Sequence, residues 1–127
     1  IVIPSSWTDY ADKTAIGMKA LAGFPLLTLK TDKTTRMHET VIHECKQRGF
    51  VPNVICECGS VAIIMSLVAE GIGATVFPKS VMSSFPTTVV KMLDIEDADF
   101  HSDVGIVWLK DRYLSKRALN FIQSFQV

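Results

Sequence analysis

The sequence lacks an excess of charge of either sign: 13 Lys and Arg stand against 13 Asp and Glu, a formal net charge of +0 over 127 residues. Sequence-independent affinity for nucleic acid comes from clustered basic side chains, so this segment is not expected to grip DNA or RNA itself. Cysteine is scarce as well. Cys45, Cys56 and Cys58 cannot all pair within one chain, and a reducing cytoplasm fits them better than secretion. Long hydrophobic runs are missing: the longest, 61–69, contains Ser66 and gives way to Glu70 and Gly71, well short of the about 20 residues that cross a bilayer. No membrane partner is expected. No basic segment leads into an apolar run and a small-residue cleavage site, and the first residue is Ile1 rather than Met, which suggests a processed or excised chain.

What is present is apolar content, 48% of residues. At roughly 100–150 residues per domain this length predicts one domain or part of one. Hydrophobic period and turn punctuation alternate strand with helix, which means α/β. Strands are predicted over 1–3, 24–29, 53–58, 73–77, 87–93 and 104–109. Helices are predicted over 16–22, 34–48, 61–70 and 115–125, with a turn or short helix over 79–85. The run 24–29 is apolar on both faces, as a buried parallel strand should be. Gly49 and Gly71 read as helix stops, and Gly73 as a residue that eases the chain into the sheet. The stretch 94–103 holds five acids and reads as a solvated loop. On the last helix Leu114, Ala118, Phe121, Ile122 and Phe125 share one stripe, which covers either the same sheet or part of a larger protein.

Three motifs invite a chemical reading and fail on spacing. His38-Glu39-Thr40-Val41-Ile42-His43 resembles a zinc-protease helix, yet that motif needs histidines at i and i+4. Here they stand at i and i+5, about 140° apart around the helix, so one cation cannot bridge them. His38 is expected to be a packed, hydrogen-bonded core residue and His43 a solvated one. Cys56-Glu57-Cys58 places two thiols on one strand face, but structural zinc and redox dithiols favour other spacings, and buried cysteine acts as a small hydrophobe. Gly71-Ile72-Gly73 runs from helix into strand, the reverse of a dinucleotide-binding turn. No catalytic residue, metal or cofactor is therefore assigned.

Two hydroxyl-rich strand-to-helix turns survive: Thr31-Asp32-Lys33-Thr34-Thr35-Arg36 after the strand at Leu29, and Gly59-Ser60 after the strand at Cys58. In open α/β sheets ligands bind at the carboxyl ends of strands, where helix N-termini expose unpaired N–H groups and a positive dipole end. Lys30, Lys33 and Arg36 add positive charge, which suits a small anion. The plainer reading is that Thr31, Asp32 and Ser60 only cap helices.

The run 24–36, the helix ending Arg48-Gly49-Phe50 with Pro52 and Asn53, the block from Cys56-Glu57-Cys58 to Gly71-Ile72-Gly73-Ala74, the stop Phe77-Pro78-Lys79-Ser80, and Val107-Trp108-Leu109-Lys110-Asp111-Arg112-Tyr113-Leu114-Ser115 together resemble the effector-binding domain of LysR-type bacterial transcriptional regulators. The resemblance covers nearly the whole chain. It implies a Rossmann-like mixed sheet with helices on both faces, of periplasmic-binding-protein type II, largely one subdomain. Residues 1–103 would be effector-binding subdomain II, and 104–127 a crossover strand and C-terminal helix belonging to a mostly absent subdomain I. The helix would then carry its apolar stripe for that subdomain.

The same resemblance implies a non-catalytic sensor. A small-molecule effector would lie in a cleft whose wall includes Thr31, Asp32, Thr34, Thr35, Arg36, Ser60, Phe77 and Pro78. The intact protein would be a cytoplasmic dimer or tetramer that meets DNA only through an N-terminal winged helix-turn-helix outside this chain. Lys116 departs from relatives that often carry Pro after the Ser. Asp32 would repel a carboxylate unless Lys33 or Arg36 offsets it. Two other readings are a solute-binding protein of transport, which shares the fold, and an enzyme working through the histidine helix or the thiols.

Overall fold

The computed structural model describes residues 1–30, 36–85, 88–101 and 105–125. The elements are β1 (Val2–Pro4), β2 (Ala15–Ile16), β3 (Pro25–Leu29), α1 (Met37–Gln47), β4 (Asn53–Cys58), α2 (Val61–Ala69), α3 (Lys79–Met82), β5 (Val90–Met92), β6 (Asp94–Ile95) and α4 (Lys116–Gln123). Two 3-10 helices, Thr8–Tyr10 and Met18–Gly23, complete them.

The predicted strand over 73–77 shrinks to bridges at residues 74 and 75, and these join the sheet. Leu27 N–H donates to the Ala74 carbonyl and Ala74 N–H to the Pro25 carbonyl, both at 2.8 Å, while Val2 and Thr75 exchange bonds of 2.8 and 2.9 Å. The order is therefore β4, β3, 74–75, β1, β5. β4, β3 and the 74–75 segment run parallel, and β1 runs antiparallel to both of its neighbours. A separate parallel pair, β2 with β6, follows at the β5 side.

Side chains alternate across a strand, and here that alternation splits the core in two. Ile1, Ile3, Leu26 and Ala74 point to the face covered by Val41 and Cys45 of α1. Val2, Leu27 and Val90 point to the face covered by Ile64, Met65 and Val68 of α2. Leu26 and Leu27 are 0% and 1% exposed, which explains the unbroken apolar run of β3; each such burial stabilises the fold by about 1.5–3 kcal/mol. Helices on both faces of a mixed sheet is the expected α/β arrangement.

Both predicted helix stops close with the same hydrogen-bond pair. After α1, Gly49 N–H donates to Lys46 and Phe50 N–H to Cys45; after α2, Gly71 N–H donates to Val68 and Ile72 N–H to Leu67. Both glycines have φ +82, where a side chain is strained. Gly73 has a different reason: a Cβ there would stand 2.4 Å from the Pro25 carbonyl oxygen.

Other expectations need correction. The helix predicted over 16–22 splits into β2 and the 3-10 helix Met18–Gly23, because Asp97 Oδ1 accepts the Met18 N–H at 2.8 Å and fixes a tight first turn. The acidic stretch 94–103 is not simply a solvated loop. β6 lies in it, and Ile95, Ala98 and Phe100 pack against the α1-side core. Residues 105–109, predicted as strand, form no ladder among the described residues, and Val107 is 92% exposed; an extended segment needs a neighbouring strand to pair its backbone. α4 forms as predicted, with Ser115 Oγ accepting the Ala118 N–H at 3.2 Å, and its stripe residues Phe121 and Phe125 stay exposed.

Candidate functional site

Three parallel segments end at one edge of the sheet: β3 at Leu29, β4 at Cys58, and the 74–75 segment before Phe77 and Pro78. Lys30 N–H donates to the Cys58 carbonyl at 2.8 Å, so the chain leaves β3 and β4 from adjacent points. From there α1 goes to one face and α2 to the other. In open α/β sheets ligands bind where connections diverge from neighbouring strand ends, and here the candidate place is the ends of β3 and β4.

Of the site residues predicted from sequence, Thr31, Asp32, Thr34 and Thr35 lie outside the described residues. Arg36 is exposed and immediately precedes α1, where its carbonyl accepts from the Thr40 N–H and hydroxyl at 3.0 and 3.1 Å. Ser60 is the N-cap of α2; its Oγ accepts the Ile63 N–H at 3.5 Å. Phe77 packs on the α2-side core, and the Pro78 carbonyl accepts the Val81 N–H at 3.0 Å where α3 begins. Ser60 follows the end of β4, and Phe77 and Pro78 follow the 74–75 segment, while Arg36 stands at the start of α1. Lys30, also exposed, adds a second positive side chain.

Sequence reasoning missed the polar group beneath this edge. Thr28 of β3 is 6% exposed and lies in register with Glu57 of β4. His38 in the first turn of α1 places Nε2 3.6 Å from Glu57 Oε1. Among the described residues neither Thr28 Oγ1 nor His38 Nδ1 has a hydrogen-bond partner. The expected hydrogen-bonded core histidine is therefore half-buried with one ring nitrogen unpaired, because its neighbours Met37 and Val41 are apolar. A threonine in an otherwise apolar strand was the available signal. His43 is exposed, as expected.

Cys45 is buried and Cys56 and Cys58 half-buried, all free thiols. Burial pushes the Cys45 thiol up, with Arg48 opposing it, so it stays protonated and inert. Among the described residues no three His, Cys, Asp or Glu side chains gather closely enough to hold a metal. No described helix is long and apolar enough to cross a membrane. The arrangement offers hydroxyls, positive charge and an apolar rim, which is the chemistry of binding.

Comparison with known proteins agrees with that reading. The family model for the LysR substrate binding domain matches residues 5–126. The chain is 27% identical over 125 residues to the HTH-type transcriptional regulator BsdA of Bacillus subtilis (strain 168), covering 98% of this chain and 43% of that protein. To the transcriptional dual regulator GltC of the same organism it is 32% identical over 139 residues, covering 95% and 46%. It therefore spans less than half the length of these relatives.

Among solved structures, the effector binding domain of QuiR in complex with shikimate superposes with a TM-score of 0.77 at 18% identity, over 96% of this chain and 56% of that one. HinK, a LysR family transcriptional regulator from Pseudomonas aeruginosa, superposes with 0.72 at 20% identity, over 96% and 42%. The shared fold is periplasmic-binding-protein type II-like, and the transport reading is set aside because the relatives are transcriptional regulators, a family that is not one of enzymes. The chain belongs to the LysR family as an effector-binding domain of a transcriptional regulator.

Proposed function

We propose that this chain senses a small anionic effector in a crevice between the ends of β3 and β4 and does no catalysis. The observation that carries this reading is the divergence of α1 and α2 from adjacent strand ends, with Lys30 and Arg36 exposed beside them. Thr31, Thr34, Thr35 and Ser60 donate hydrogen bonds, Arg36 supplies charge that offsets Asp32, and Phe77 and Pro78 form the apolar rim. A structural neighbour that holds shikimate, a small hydroxylated carboxylate, supports that class of ligand.

In this reading residues 1–103 form subdomain II of the effector domain, and 104–127 lead back to subdomain I. The exposed run at Val107, Leu109 and Phe121 is then surface made for that subdomain. Effector binding favours one arrangement of the two subdomains over another, as any ligand-driven shift requires. A cytoplasmic dimer or tetramer passes the change to a winged helix-turn-helix outside this chain.

The test is a thermal-shift screen of the intact regulator against small organic acids, amino acids and inorganic anions. The expected result is stabilisation by one anion class that disappears when Thr34 and Thr35 are both changed to Ala. Stabilisation that survives the double substitution overturns the assignment of those residues.

A further inference from the structure

Cys56 and Cys58 are two thiols that the effector reading leaves unused. Both lie where the pairing of β4 is regular, Cys56 opposite Leu27 and Cys58 opposite Leu29, so they project to one face, two residues apart. All four pack with the α2-side core. Glu57 between them stands opposite Thr28 and projects to the other face. β4 ends the sheet order, with a ladder on its β3 side only among the described residues. Both thiols are accordingly half-buried and free, whereas Cys45 is buried beneath the opposite face. A cysteine that serves as a small hydrophobe is covered, as Cys45 is. The pair on β4 is not.

The number of donors fixes the class of ligand. Soft thiolates select monovalent copper, zinc or iron–sulfur clusters. Zinc takes three or four protein ligands and a cluster takes four, but among the described residues no third His, Cys, Asp or Glu joins this pair. Monovalent copper is satisfied by two thiolates in a line. The two Cβ atoms are about 6.6 Å apart, two rises of a parallel strand. A linear sulfur–metal–sulfur unit with bonds of about 2.3 Å is reached when each Sγ leans about 1 Å along the strand towards the other, a direction open to strand side chains.

We propose that Cys56 and Cys58 form a two-sulfur site for monovalent copper. On binding, two S–H bonds break, two Cu–S bonds form and two protons pass to solvent. The copper stays monovalent, and the single negative charge of the unit sits at the open edge of the sheet, where water reaches it. Neither thiol belongs to the residues assigned to the effector, so the site stands whether or not that reading does.

The test titrates the 127-residue chain with monovalent copper, held reduced under anaerobic conditions by a coloured chelator that competes for it. The expected result is uptake of one copper per chain, with two sulfur neighbours in X-ray absorption. Cys56→Ser and Cys58→Ser are each expected to weaken binding by more than about a hundredfold, beyond the about 10–100-fold typical of losing a partner outside the ligands. Cys45→Ala is expected to bind as the parent does. A footprint on the parent needs no variant: copper is expected to shield Cys56 and Cys58 together from iodoacetamide and to leave the labelling of Cys45 unchanged. Failure to take up copper, copper held equally well by either serine variant, or shielding of only one of the two thiols overturns the proposal.

Discussion

The Asp97 carboxylate accepts the backbone N–H of Met18 at 2.8 Å across 79 positions of sequence, and so caps the 3-10 helix that begins there. Arg48 holds the carboxylate from its other side: its Nε lies 3.6 Å from Asp97 Oδ2, its guanidinium also reaches the Asp97 carbonyl, and it pairs with Glu44 at 2.6 Å. Three segments distant in the chain meet at one acid.

The bond from Met18 first, and then Arg48, hold the Asp97 carboxyl below the ordinary 3.8. A lowered folded-state value means the folded protein binds that proton less readily than the unfolded chain, so the acid stabilises the fold above about the ordinary carboxylate range. That contribution is lost as pH falls through and below 3.8. Asp97→Ala is expected to lower the melting temperature at pH 7, and the gap between variant and parent is expected to narrow as pH falls below 3.8. A gap of constant size across that range would show that ionisation of Asp97 plays no part.

Close approach rather than turn geometry makes Gly73 necessary. Ala74 N–H donates to the Pro25 carbonyl at 2.8 Å, and the Gly73 backbone lies against the same oxygen, 2.4 Å from where a Cβ would stand. That oxygen belongs to the middle of the sheet and cannot withdraw. Gly73→Ala is expected to destabilise by roughly 1–3 kcal/mol, the usual range for overpacking. Gly59→Ala, with nothing within 4 Å of its Cβ position, is expected to stay within about 0.5 kcal/mol. Urea unfolding of both variants checks the contrast.

Features with a local cause were legible in the sequence. The two-faced apolar run of β3 implied burial on both sides, and Gly49 and Gly71 ended their helices where φ +82 is required. Features made by distant contacts were not. Nothing near Asp97 signals that its partners are Met18 and Arg48, and a two-residue strand such as β6 is too short to show a period. The two hydroxyl-rich turns stood out in the sequence as candidates, the first of them mostly outside the described residues, but the pairing of Thr28 and His38 with Glu57 did not. Their relation depends on the register that sets Thr28 against Glu57 and on the place where α1 starts.

Ser60 allows the structural and ligand-binding roles of the crevice edge to be separated. Its Oγ caps α2 by accepting the Ile63 N–H, a role Asp fills equally well and with a charge that suits the helix dipole. Ser60→Ala is expected to cost about 0.5–1 kcal/mol of stability, the low end for a lost cap, because the bond is long at 3.5 Å. Ser60→Asp is expected to keep full stability but place a negative charge on the crevice wall. Against an anion about 4 Å away that charge is unfavourable by about 1–4 kcal/mol, a loss of affinity of roughly fivefold or more. Urea unfolding together with titration of the anion found by the thermal-shift screen reads both effects. If Ser60→Asp binds that anion as tightly as the parent, Ser60 is a cap and no part of the effector wall.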